Sequence, residues 1–520
     1  MNRWISVIIL VVAGIVFCAQ IIHWWPFTHD DAWISFRYAE NFVKGHGLVF
    51  NPGERVEGYT NFLWTILMAG PIALDLDPVP VSKFLGILLS LCTLVTVFRF
   101  SQRFLHGSDI DRNRKNLTAA YAVLILTVYA PFSVWAVGGL ETPLFAWLII
   151  LGIYLAEQER SRPAPRLSSA SMILITAALT RPGGIMIWAI LLFFQWKQVS
   201  SHRLQRMRAW LLPFATVYIP WFAWRWWYYG WLLPNTYYLR QGSDADQSME
   251  VARNGMAYIG AFLVTHGGLL AIALLLGGSA VIKFRTKSRF ITLLVFWSLH
   301  LIHAGGDEKP FGRLIVPMLP LIAVILAKTA DEILHLQPSW RGRFRHLHRA
   351  TALLIMLLLP GAIAGGMTHP DDNAYVDGHI FKYCTRGVQL GKWIHAHARP
   401  GESMAARAIG ALGYYSKIPC YDLLGVTDEY IAHLPLQPGK RTAHGKSDLM
   451  YILSRNPTYI TFMLMEPTRL GYRRKTVELD DGGRMLLFVR DPALAPDPEY
   501  LQNPKENQGL LLPFTPETTP

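Results

Sequence analysis

Apolar runs of about 15 to 25 residues recur along this chain as far as residue 367 and then stop. Runs of that length satisfy their own backbone polar groups as helices in lipid, where strands would need a closed barrel. Candidate spans fall at 4–25, 80–102, 117–137, 140–157, 168–180, 183–197, 209–229, 256–282, 289–304, 312–330 and 349–367. Of the 520 residues, 52% are hydrophobic and only 16% charged, against roughly a quarter charged in an ordinary soluble domain. The pattern predicts an α-helical polytopic membrane protein with about eleven spans over 1–367. A soluble extracytoplasmic domain over 368–491 and a proline-rich, disordered tail over 492–520 are expected to follow.

Charge sets the expected orientation. The segment Asn61–Asp77 is also apolar, but as a span it would put Arg99, Arg103, Arg112, Arg114 and Lys115 outside and invert every later loop. As a helix lying in the outer interface, it leaves the clusters Arg99–Lys115, Arg160–Arg166, Lys197–Arg208, Lys283–Arg289 and Arg341–Arg349 cytoplasmic, as the positive-inside rule asks. The N-terminus is then cytoplasmic and everything after 367 lies outside. The apolar stretch to Ile22 ends on Trp24-Trp25-Pro26 with no small-residue cleavage site, which suits an uncleaved first helix. The net charge of +13 is dispersed among these loops, so nucleic acid is not an expected partner. Cys18 and Cys92 lie in apolar runs, whereas Cys384 and Cys420 in the exported part are left open as free thiols or a disulfide.

The unusual residues gather at the outer face. Thr28-His29-Asp30-Asp31 follows the first span, and charge so near lipid must be solvated, paired or used. Thr28 and Asp31 have capping-box spacing, opening a helix to about Val43 with one apolar stripe of Ala32, Phe36, Ala39 and Val43, ended by Gly45 and Gly47. Asp31 has this ordinary explanation; Asp30 does not. Glu57 is a second candidate carboxylate in the turn-rich loop before Asn61. Glu141 opens a span, where the helix dipole alone would favour it. Arg181 needs an anionic partner, either a phosphate or a carboxylate such as Glu141. His303, Asp307 and Arg313 form a further polar island, readable as a paired loop or as a grip on a leaving phosphate. The aromatics of Trp221–Tyr238 suffice as an interfacial belt, though they would also suit prenyl or sugar contacts.

Several segments resemble the integral-membrane GT-C glycosyltransferases, and among them the bacterial terminal β-(1→2)-arabinofuranosyltransferase-like family. They are His29-Asp30-Asp31-Ala32-Trp33-Ile34-Ser35-Phe36-Arg37-Tyr38-Ala39, Gly45–Thr60, and Gly139-Leu140-Glu141-Thr142-Pro143. Tyr229–Tyr238, Gly305-Gly306-Asp307 with Gly312-Arg313, Gly413–Ser416 and Asp422–Asp428 extend the likeness over most of the chain. Arg181-Pro182-Gly183-Gly184 departs from the Arg-Pro-Glu-Gly of such proteins. The resemblance implies a GT-C fold in a bacterial inner membrane, a polyprenyl-phosphate sugar donor (arabinofuranose first, mannose or another pentose as alternatives) and a glycan or glycoconjugate acceptor. It also implies Asp30 as the catalytic acidic residue. Asp31 stands beside it, and Arg37, Glu57, Glu141, Arg181, Asn235, Tyr237, His303, Asp307 and Arg313 are expected substrate contacts.

A divalent cation is left open, because no all-protein cage is evident. Short strands are expected at Ser403–Ala406, Cys420–Leu424, Thr458–Met463 and Met485–Val489, with Ala408–Tyr415 a turn or helix between the first two. A transporter of the same lipid is the rival class. It should show repeat symmetry and mid-membrane charge, which this sequence does not display.

Overall fold

The computed structural model describes residues 3–104, 111–163, 165–197, 202–241, 245–266, 268, 288–307, 309–335, 358–361, 363–364, 370–436, 445–462, 464 and 466–497. The expected span at 349–367, the second half of 256–282 and the tail beyond 497 lie mostly or wholly outside those residues.

Among the described residues, two helices are long and apolar enough to cross a bilayer, Trp4–Trp24 and Pro78–Arg103. A third span is added if Arg112–Val128 and Ala130–Val137, bent by 64° at Tyr129, count as one. Several other apolar helices keep close to the expected bounds but are individually short, with 12 residues in Ser169–Thr180, 14 in Gly183–Trp196 and 16 in Ser288–His303. Ser169–Thr180 and Gly183–Trp196 are separated at Arg181-Pro182, where Arg181 is extended, and pack on one another, and Thr142–Arg160 packs on the first of them. Gly86 sits against the Ala136 carbonyl and Gly152 against Leu174, so small residues bring these helices close. Phe62–Ala73 has 12 residues. At 1.5 Å per residue it is about 18 Å long, too short for a hydrocarbon core of about 30 Å.

The helix Asp30–Val43 lies at the junction of the two halves. Its start corrects the expected capping box: the cap is His29, whose Nδ1 accepts the Asp31 amide at 3.1 Å, and Thr28 takes no part. The single apolar stripe is corrected too. Ala32, Trp33, Ile34, Phe36, Tyr38 and Ala39 are all buried, on faces all round the helix, while Val43 is exposed. Ala32 and Phe36 join the core of the membrane half. Ile34 and Tyr38 share a second core with Phe50, Tyr59, Tyr229, Leu390, Met404 and Leu487. Gly45 and Gly47, both at positive φ, close the helix as expected.

The C-terminal part carries a five-stranded sheet in the order β2-β1-β3-β5-β4. The strands are β1 (Met404–Ala406), β2 (Cys420–Asp422), β3 (Tyr459–Ile460), β4 (Tyr472–Glu478) and β5 (Arg484–Arg490). β1 pairs in parallel with β2 and β3, and β5 runs antiparallel to β3 and β4. The β1–β2 crossover contains the helix Gly410–Ser416, as parallel pairing requires. β4 was not among the expected strands, because only its Tyr472 and Val477 are buried. Its Arg473, Arg474 and Lys475 face outward and protect the sheet edge. The disulfide is absent: all four cysteines are free, and Cys384 Sγ donates to the Thr28 carbonyl.

Candidate active site

Neighbouring helix residues point about 100° apart, and here that rotation separates the two adjacent carboxylates. Asp30 faces the C-terminal part of the chain. Its Oδ1 accepts from the Ala411 amide at 2.8 Å and its Oδ2 from the Gly410 amide at 3.0 Å, at the start of the Gly410–Ser416 helix. A carboxylate on the first amides of a helix occupies an anion site. Gly410 is obligatory there, since a Cβ would lie 2.6 Å from Asp30 Cγ. The Asp30 amide donates to His379 Nε2 at 2.9 Å, which keeps that ring nitrogen unprotonated. Burial pushes the Asp30 carboxyl up to about 6, against the downward pull of the two amides. Burial and the Lys309 charge push His379 down to about 3.

Asp31 faces the other way, and its side chain is 36% exposed. Its Oδ2 lies 3.5 Å from Arg313 Nη1 and 3.6 Å from Lys309 Nζ. Burial alone would raise its carboxyl, but Lys309 and then Arg313 outweigh that and hold it below the usual carboxylate range. Arg313 Nε donates to Asp307 Oδ2 at 2.8 Å, and Arg240 Nη2 stands 3.8 Å from Asp307 Oδ1. The loop holding these groups is strained. Phe311 is at φ 54°, flanked by Gly305, Gly306 and Gly312 at positive φ. It is fixed by burial against Trp24 and by its amide donating to Asp372.

A second chain of contacts runs from the same helix face. Ser35, one turn beyond Asp31, hydrogen-bonds Asn61, whose Nδ2 donates to Glu141 Oε2 at 2.8 Å; Glu141 Oε1 lies 3.3 Å from Arg181 Nε. Arg181 thus meets the carboxylate the sequence suggested. Glu141 makes no side-chain cap to its own helix and serves this pairing instead. Asp31, Glu141 and Asp307 therefore stand among Arg181, Arg240, Lys309 and Arg313, three carboxylates among four cations.

Other expected contacts fall elsewhere, and their roles are corrected accordingly. Arg37 is buried with its guanidinium spent on the carbonyls of Phe50, Gly413 and Ile418 and on Asn51 Oδ1. It fastens the loop around Phe50 and Asn51 to the C-terminal part of the chain. Glu57 is locked to Arg225 (Nε to Oε1 2.9 Å, Nη2 to Oε2 2.7 Å), both buried. Burial raises the Glu57 carboxyl to about 7 in spite of that partner. Asn235 donates to the carbonyls of Gly425, Val426 and Asp428, a latch between the halves. Tyr237 packs edge-on to Tyr238. His303 is exposed at the end of its helix and makes none of the cluster's ion pairs. Lys309, Arg240, His379 and Gly410 were missed. Lys309 and Arg240 are ordinary loop cations in sequence, and the others lie about 350 to 380 residues from Asp30.

Among the described residues, no three His, Cys, Asp or Glu side chains converge as metal ligands. Cations flank Asp31 where a divalent ion would want further oxygens, so the residues present do not fit one.

A family described as "Domain of unknown function (DUF8728)" matches residues 378–497. The terminal β-(1→2)-arabinofuranosyltransferase of Corynebacterium glutamicum is 25% identical over 356 residues, 60% of this chain and 49% of that protein. The Mycobacterium tuberculosis protein of the same name is 28% identical over 247 residues, 45% of this chain and 37% of its own. The chain thus matches about half or less of the length of these curated relatives. Among solved structures, ArnT from Cupriavidus metallidurans bound to undecaprenyl phosphate aligns with TM-score 0.56 at 13% identity, over 95% of this chain and all of that one. Its apo form aligns with TM-score 0.51 at 13% identity, over 93% and 97%. At this identity the likeness is one of fold: the chain shares the fold of ArnT.

Proposed function

We propose that this protein is a GT-C glycosyltransferase that moves a sugar from a polyprenyl-phosphate donor to a glycan or glycoconjugate acceptor at the outer face of the inner membrane. The observation that carries this is the part-exposed Asp31 held between Lys309 and Arg313, with Asp307 and Glu141 pairing Arg313 and Arg181 beside it. The names of the relatives favour arabinofuranose as the sugar, and the undecaprenyl phosphate bound by ArnT favours a lipid carrier here.

Asp31 takes the proton of an acceptor hydroxyl as that oxygen bonds to the anomeric carbon. The bond from that carbon to the phosphate oxygen breaks, and the leaving polyprenyl phosphate gains one negative charge. Arg313, Lys309, Arg240 and Arg181 are fixed beforehand by carboxylate or carbonyl partners or by the loop, so they meet that charge without reorganising. Asp30, which the resemblance implied as the catalytic acid, is in this reading a positioning residue: its carboxylate holds the Gly410–Ser416 helix, and the helix it begins presents Asp31.

Membranes carrying Asp31→Asn, given polyprenyl-phosphate sugar and acceptor, should lose transfer while still binding donor. Full retained transfer would sink the base assignment. Lipid translocation without glycosyl transfer in the unaltered protein would favour a transporter.

A further inference from the structure

A second concavity, of about 760 Å³, opens between the outer loop and the exported domain and shares no lining residue with the Asp31 cluster. Glu54, Arg55 and Trp231 line it from the membrane half, and Asp428, Tyr430 and His433 from the exported domain. The volume falls within the range of about 300–1,000 Å³ common for small-ligand sites. Two aromatic faces are open to it, Trp231 at 40% exposure and Tyr430 at 47%. Each ring is backed by a second one, Trp231 by His433 at 4.3 Å and Tyr430 by Tyr451 at 4.4 Å between centroids.

Part of the polar wall is internally matched. Arg455 pairs with Glu54 and donates to the Tyr451 hydroxyl, which donates to Asp428. Arg55, whose guanidinium lies over the Tyr228 ring, and Glu429 add one charge of each sign, so the charged lining is three carboxylates against two guanidinium groups, a balance that does not favour a phosphate or a polyanion. Backed aromatic faces beside fixed hydrogen-bonding groups suit a ring with weakly positive C–H faces and a hydroxyl edge, which is a neutral sugar. One helix joins the two sites. In Asn235–Arg240, Tyr238 stacks on His433 at the groove while Arg240 reaches Asp307 in the charged cluster. Its 6 residues span about 9 Å.

We propose that this groove is a subsite for a neutral oligosaccharide, holding the non-reacting part of the acceptor while its end reaches Asp31; this rests on the glycosyltransferase reading above. Full-length protein in detergent, without donor, is titrated with neutral pentose and hexose oligosaccharides, and binding is read by saturation-transfer NMR. Wild-type protein should bind; Tyr430→Ala and Trp231→Ala should each weaken binding roughly tenfold, while Tyr430→Phe should not. In transfer assays Tyr430→Ala should raise KM for an extended acceptor and leave kcat and a single-sugar acceptor unchanged. No oligosaccharide binding to wild type, wild-type binding by Tyr430→Ala, or a preference for anionic glycans each overturns the subsite. Binding at the groove by a wild-type protein incapable of transfer would instead overturn the glycosyltransferase reading and leave the subsite standing.

Discussion

One peptide bond separates Asp30 from Asp31, yet the two carboxylates meet opposite surroundings. Asp30 accepts two helix-terminal amides in a buried seam; Asp31 sits part-exposed between Lys309 and Arg313. Substituting each by asparagine should therefore give different failures. Asp31→Asn should cut the transfer rate by about 10²- to 10⁴-fold, the usual worth of a positioned base, with the melting temperature little changed. Asp30→Asn turns an NH₂ group toward one of the two amides and should cost about 1–3 kcal/mol of stability, read as a lower melting temperature. Acidity gives a second signature. The Asp30 carboxyl, raised to about 6 from 3.8, binds its proton more tightly folded than unfolded. Its contribution is full below about pH 4 and is lost as pH climbs through 6, a change of about 3 kcal/mol. Thermal melts across that window should slope downward with pH in the wild type and flatten in Asp30→Asn.

Between elements, the decisive contacts are close approaches that only particular residues permit. Gly410→Ala would drive a methyl into the Asp30 backbone oxygen and carboxyl carbon, so the Gly410–Ser416 helix must back away. The expected loss is about 1–3 kcal/mol, with transfer falling in step, checked by melting and initial rates on the same preparation. Arg225→Met should leave Glu57 buried without its counter-charge and destabilise by about 3–5 kcal/mol, much of it restored by adding Glu57→Leu. Sequence made the local parts of this legible. The Asp30–Val43 helix, its glycine stop, four of the five strands and the Glu141–Arg181 pairing follow from nearest neighbours, periodicity and the cost of lone charge near lipid. What stayed hidden depends on distance along the chain. Arg37 and Asn235, expected from the resemblance as substrate contacts, are instead absorbed by carbonyls that include those of Gly413 and Gly425, far along the chain. β4 stayed hidden because an edge strand with two buried residues shows no alternation.

Across the whole molecule, the exported part and the outer loops share one apolar core, in which Ile34, Tyr38 and Tyr59 pack with Leu390, Met404 and Leu487. From the basic loops we propose that this assembly lies on the outer side. A membrane-impermeant maleimide should thus label Lys475→Cys in intact cells and Arg162→Cys only after permeabilisation, and the reverse pattern would overturn the orientation. The seam has a further effect on the life of the polypeptide. Asp30 emerges early from the ribosome, whereas Gly410 and Ala411 follow 380 and 381 residues later. Until they arrive, the helix bearing Asp31 has no wall to lean on. The pairing of Asp30 with the Gly410–Ser416 helix is therefore a late event, which cannot form until 380 further residues have been made.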